Sequence, residues 1–76
     1  MTVDVDIDAL GLLCPLPVLR LRKRLQGIAA GEVLTILSDD PVAAIDIPHF
    51  CAQEGHAVLR DEPREGGRLF EVRKGG

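Results

Sequence analysis

The sequence predicts an α/β two-layer sandwich of order βαβαββ, with two helices packed on one face of a four-stranded mixed sheet. Three observations predict it. Apolar residues alternate with period two near the N-terminus, recur at spacings of three and four after Pro15, and then repeat a strand–helix cycle that is closed by two short strand-like runs. The 76 residues have room for one small domain, spanning residues 1–76, and too little volume for a large internal substrate pocket. Phe50 and Phe70 are the only aromatic residues, so aliphatic packing must carry the core.

The first strand is read from "TVDVDIDA", where Val3, Val5 and Ile7 alternate with Asp4, Asp6 and Asp8 to give one buried and one wet face. From Pro15 the spacing changes to that of a helix, with Val18, Leu21, Leu25 and Ile28 as its core stripe and Gly27 or Gly31 as its stop. "EVLTILS" is the second strand, nearly all apolar from Val33 to Leu37, as expected of a strand flanked by neighbours. In "SDDP", Asp39 or Asp40 caps a second helix and Pro41 takes its first position, where a missing N–H costs nothing. Pro48 removes a hydrogen bond inside that helix and crowds the carbonyl four residues back, which predicts a kink or restart near Ile47. Gly55 suits a left-handed stop. "HAVLRDE" and "RLFEVRK" complete the sheet as two strands joined across a "PREGG" loop.

Composition excludes several function classes. A formal net charge of −3 argues against a module that lives on phosphate backbones, so stable nucleic-acid binding is not expected. No apolar run has the length of a membrane span, and "MTVDVDID" has neither the basic flank nor the hydrophobic stretch of a signal peptide. The expectation is a cytoplasmic protein in which Cys14 and Cys51 are free thiols.

The stretch "LLCPLPVLRLRKRL" sets Cys14 directly before Pro15 and Pro17 at the mouth of the first helix. A thiol at a helix start meets free N–H groups and the positive end of the helix dipole, which favour a thiolate and so a better nucleophile near neutral pH. The two prolines stiffen the platform under the sulfur, although they also remove two donors that a capping group would have used. On the helical wheel Leu16 and Leu19 fall nearly opposite the core stripe. They predict an apolar docking face beside Cys14, bordered by Arg20, Lys23 and Arg24; the alternative is that both leucines pack under the "LGLL" loop or the second helix.

The remaining candidates read more plainly. Cys51, inside the second helix near Phe50, is a small buried hydrophobe. His49, Cys51 and His56 with Cys14 lack the short spacings of a structural zinc site, so no metal is expected. "RLRKR" is the solvated face of a helix, with an acidic partner or an RNA-bearing complex as the functional alternative. Asp39 and Asp40 read as capping residues.

The segment "DALGLLCPLPVL" from Asp8 resembles the Cys-Pro-x-Pro region of the TusA-type, SirA-like sulfur-carrier family, with Cys14, Pro15 and Pro17 at the motif positions. "SDDPVAAIDIPHFC" looks like the second helix of that family and "EGHAVL" like the strand after it, so the resemblance covers nearly the whole chain. It implies the βαβαββ fold and a carrier without turnover of its own. Cys14 would accept sulfane sulfur as a persulfide from a cysteine desulfurase and hand it to a downstream sulfur-relay protein. The best-known pathway of the family ends in 2-thiouridine at the tRNA wobble position; other members serve molybdenum cofactor maturation, sulfur oxidation or selenium handling. No resident cofactor is implied beyond the transient persulfide, and a monomer is expected. One departure stands between the prolines, where Leu16 occupies a position that is often acidic in the tRNA-thiolation branch. It makes the face beside the sulfur less polar and bears on which acceptor reads it.

Two other classes compete with a carrier. A pure interaction module would keep its function when Cys14 is replaced by serine. A thiol oxidoreductase needs a resolving cysteine, and the sequence has no Cys-x-x-Cys.

Overall fold

The computed structural model describes residues 5–75. Its elements are β1 (Ile7–Ala9), α1 (Leu16–Gln26), β2 (Val33–Ser38), α2 (Ala43–Glu54), β3 (Ala57–Arg64) and β4 (Gly67–Arg73). The strands form one sheet in the order β1-β2-β4-β3; β1 and β2 are parallel and the other two pairings antiparallel. A parallel pair needs a crossover, which α1 supplies, whereas β3 and β4 need only a tight hairpin. The expected α/β sandwich is therefore present: a mixed sheet with both helices against one face.

Register explains where the core sits. Ile7, Ile36 and Phe70 lie side by side across three strands, and Leu34, Val72 and Val58 do the same further along. All of them face Leu21 and Leu25 of α1 and Ala43, Ile47 and Cys51 of α2 in a single apolar cluster. Phe70, on the central strand β4, is fully buried. Full burial of a side chain of this size contributes about 1.5–3 kcal/mol.

Several local expectations change on folding. Residues 2–4 of the first-strand reading lie outside the described residues, and the ladder begins only at Ile7. Asp6 and Thr35 account for the late start. The Asp6 N–H donates to Thr35 Oγ1 at 2.9 Å, while Asp6 Oδ2 accepts from the Thr35 N–H at 2.9 Å and from its hydroxyl at 3.1 Å. Side-chain bonds thus replace the ladder there, as short polar side chains commonly do. The buried stripe of α1 is Pro17, Leu21 and Leu25, with Val18 and Ile28 only half-buried. Ile28 falls beyond the helix, whose C-cap is Gly27.

Helix α2 begins later than the capping pattern suggests, with Val42 rather than an aspartate at its N-cap and Pro41 in the preceding turn. It also runs unbroken from Ala43 to Glu54 with Pro48 inside, so no restart occurs near Ile47. Ile47 and Cys51 are buried around the proline, and tertiary packing of that face outweighs the missing backbone bond. Gly55 ends α2 in the expected left-handed conformation, at φ 79°. The hairpin is tighter than "PREGG" suggests: β3 continues through Pro63 to Arg64, leaving a turn of Glu65 and Gly66. Pro63 is tolerated because β3 is an edge strand.

Candidate functional site

Cys14 lies in the loop between β1 and α1, and backbone bonds and aspartates shape that loop. The Leu10 N–H donates to Asp8 Oδ1 at 3.0 Å, the Leu12 N–H to the Ala9 carbonyl at 3.2 Å, and the Leu16 N–H to the Leu13 carbonyl at 2.9 Å. Gly11 turns the chain with φ 79°, a region that a side chain strongly disfavours. The Gly11 N–H donates to Asp39 Oδ1 at 3.0 Å, and the Cys14 N–H donates to Asp40 Oδ2 at 2.6 Å. Neither aspartate is the N-cap of α2. The pair grips the cysteine loop from across the fold, and Asp40, which is buried, also accepts the Val42 N–H at 3.2 Å.

The sulfur itself is exposed. Pro15 is the N-cap residue of α1 and Pro17 its second helical position, so the expected placement of Cys14 just outside the helix start holds. Pro17 has a further part that the motif alone did not show: it is fully buried and anchors the first turn in the core. The Cys14–Pro15 peptide bond is cis.

The electrostatics run opposite to the sequence expectation of a stabilised thiolate. Cys14 Sγ donates to Asp46 Oδ2 at 3.0 Å. That hydrogen bond, with the negative charges of Asp46 and Asp40, pushes the thiol above its ordinary pKa. The helix dipole does not compensate, because Pro15 and Pro17 have no N–H and the Leu16 N–H is spent on Leu13. Sequence reasoning missed Asp46 because a lone acidic residue in the first turn of a helix reads simply as a partner of the dipole.

Several apolar side chains next to Cys14 or Asp46 in the chain, or on the first turns of α1, are exposed. Leu16 and Leu19 are 47% and 48% exposed, so they do not pack under the loop or against α2. Leu13, adjacent to Cys14, and Ile45, adjacent to Asp46, are more open still at 69% and 71%. These two were missed because neither belongs to a helical stripe that the pattern singles out. Arg20, Lys23 and Arg24 are exposed on the same helix, where they line an open groove of about 450 Å³ with Asp6, Ile7 and Asp8. The Arg24 guanidinium also donates to the Asp6 carbonyl at 3.0 Å.

Cys51 is 1% exposed, and burial pushes its thiol up to about 11, which removes it as a nucleophile near neutral pH. His56 uses Nδ1 to accept the Gly75 N–H at 2.9 Å. Among the described residues no three His, Cys, Asp or Glu side chains gather as a metal site, and no helix is long and apolar enough to cross a membrane.

The family model described as "Sulfurtransferase TusA" matches residues 5–74, which includes the whole sheet, both helices and the Cys14 loop. The chain belongs to the TusA family. The "Sulfur carrier protein TusA" of Pseudomonas syringae pv. syringae (strain B728a) is 39% identical over 74 residues, covering 97% of this chain and 88% of that protein. The TusA protein of the same description from Pseudomonas entomophila (strain L48) is 42% identical over 71 residues, covering 93% and 89%. Among solved structures, the SirA-like protein from Desulfitobacterium hafniense superposes with a TM-score of 0.79 at 31% identity, covering 92% of this chain and 96% of that one. The TusA relationship thus extends over sequence and fold alike.

Proposed function

We propose that this TusA-family chain is a sulfur carrier whose Cys14 takes up sulfane sulfur from a cysteine desulfurase and passes it to a second relay protein. The observation that carries the reading is the exposed Cys14 thiol, held outside the start of α1 within a chain that matches the family from residue 5 to residue 74. In the loading step the Cys14 sulfur attacks the terminal sulfur of the donor's persulfide. The donor S–S bond breaks, a new S–S bond forms on Cys14, and the donor cysteine leaves as a thiol. The reverse geometry, with an acceptor thiol attacking the terminal sulfur of the Cys14 persulfide, unloads the carrier. Both steps need two protein surfaces to meet at an open sulfur, and neither needs a pocket or a resident cofactor in this chain. Pro15 and Pro17 position the sulfur, while Leu16 and Leu19 with Arg20, Lys23 and Arg24 form the docking face.

Transfer toward tRNA 2-thiouridine is the first assignment, supported by the family relationship. Leu16 favours a second reading, in which the acceptor serves molybdenum cofactor maturation or sulfur or selenium metabolism, because an exposed leucine stands beside the sulfur where an acidic side chain is common in the tRNA branch.

Intact-protein mass spectrometry tests the carrier. The reduced protein is incubated with a cysteine desulfurase, its pyridoxal phosphate and free cysteine, alongside Cys14→Ser and Cys51→Ser. A reducible gain of one sulfur that disappears only in Cys14→Ser is expected. A donor that binds the wild type without loading it would favour an interaction module, and a gain that follows Cys51 would reject the site.

A further inference from the structure

Asp46 lies on α2, yet its carboxylate reaches across to the thiol of the β1–α1 loop: Cys14 Sγ donates to Oδ2 at 3.0 Å. A second carboxylate, Asp40, holds the Cys14 backbone from the same side at 2.6 Å. The third nearby aspartate, Asp39, is turned to the Gly11 N–H. Of the three, Asp46 and Asp40 act on the thiol, and both are negative. A carboxylate much more acidic than a thiol is a poor base for it and a good acceptor for its proton-bearing form. The contact therefore favours S–H over the thiolate.

We propose that Asp46 sets the reactivity of the carrier. Its carboxylate holds Cys14 as a hydrogen-bond donor while the carrier is empty, so that rapid loading requires a donor protein that brings a cationic group to Asp46. The proposal rests on the carrier reading above.

When such a group arrives, the Asp46 charge is neutralised and Cys14 attacks the donor persulfide. Cys14–SH and donor–S–SH become Cys14–S–SH and donor–SH, with the proton of Cys14 ending on the leaving sulfur and no external oxidant or reductant consumed. Once the loaded persulfide loses its proton it has nothing to donate to Asp46 and is repelled by it. The same carboxylate that quiets the empty carrier thus pushes the sulfane sulfur outward, toward the acceptor. Cys14 is exposed, so the sulfur is open to a protein surface and charge discriminates among donors.

The test compares wild type with Asp46→Asn and Asp46→Glu, following alkylation of Cys14 by neutral iodoacetamide from pH 6 to pH 11 (about the span over which a thiol titrates) by peptide mass spectrometry. In Asp46→Asn the midpoint of the profile should move to lower pH. Each tenfold gain in thiolate is partly offset by its lower nucleophilicity, so the rate near neutral pH should rise about threefold per pH unit of movement. Asp46→Glu retains a carboxylate and should keep the slow rate, which a merely structural effect of the substitution would not predict. A profile unchanged in Asp46→Asn overturns the proposal, as does loading by a desulfurase that loses no speed when its cationic residues near the persulfide are neutralised. The alkylation profile uses no sulfur donor. A carrier that does not load and a carboxylate that does not control the thiol therefore give different results.

Discussion

Asp40 ties Cys14 to the start of α2: its Oδ2 accepts the Cys14 N–H at 2.6 Å while its Oδ1 accepts the Val42 N–H at 3.2 Å. One buried side chain thus positions the Cys14 loop and the helix that carries Asp46 relative to each other. Asp40→Ala removes a charge-assisted acceptor from two N–H groups and should cost about 2–3 kcal/mol in urea unfolding. The Cys14 amide should exchange with solvent faster, while amides at the centre of β4 keep the order of protection set by global unfolding. Unchanged exchange at Cys14 would mean that the loop holds its shape without Asp40.

Leu16 and Leu19 stay on the surface because the core stripe of α1 is already filled by Pro17, Leu21 and Leu25. Leu16→Ser, which removes the apolar contact without adding charge, should therefore leave the melting temperature nearly unchanged and weaken association with the donor proposed above, a cysteine desulfurase, by about 1–2 kcal/mol, roughly 5- to 30-fold in Kd. Calorimetric titration at fixed ionic strength checks this. Equal affinity would move the docking surface away from this face of α1.

Cys51 offers a pH test of burial. Its thiol is near 9.0 when unfolded and is pushed up to about 11 in the fold. Between those values the folded chain retains a proton that the unfolded chain has released. Stability is therefore intact below pH 9 and falls as pH rises through the window, by roughly 3 kcal/mol in all. Urea unfolding across this range should show a steeper alkaline loss in wild type than in Cys51→Ala. Parallel profiles would show that Cys51 does not carry the effect. The chain has no tyrosine to confuse the comparison.

Pro48 occupies a position in α2 where any other residue could donate to the Ala44 carbonyl. Proline in a helix interior costs about 3 kcal/mol relative to alanine, and the half-buried ring returns part of that by packing. Pro48→Ala should raise stability by about 1–2 kcal/mol in thermal or urea unfolding. A loss of stability would show that contacts of the ring with its surroundings outweigh the recovered backbone bond.

Local pattern was sufficient for some of these features and silent about others. By itself the sequence determined the element order, because the switch of hydrophobic period from two to three and four, and back again, is written in consecutive residues: Val5 and Ile7, then Leu21 and Leu25, then the run from Val33 to Leu37. It also determined that Cys14 stands at a helix start and Cys51 inside a helix, since Pro15, Pro17 and Gly55 punctuate the chain locally.

Only the tertiary structure decided the chemistry around the sulfur. Asp40 and Asp46 are 26 and 32 residues from Cys14 in the chain, and no periodic pattern reports a contact at that range. The expectation of a stabilised thiolate used the helix terminus, a local feature. Asp46 on α2 and Asp40 just before it reverse its sign, because the Asp46 hydrogen bond and two nearby negative charges outweigh a dipole that loses donors to Pro15 and Pro17 and has the Leu16 N–H spent on Leu13. The same reason separates the two views of Pro48: the local rule sees a missing bond and predicts a break, whereas the fold buries Ile47 and Cys51 on either side and keeps the helix whole.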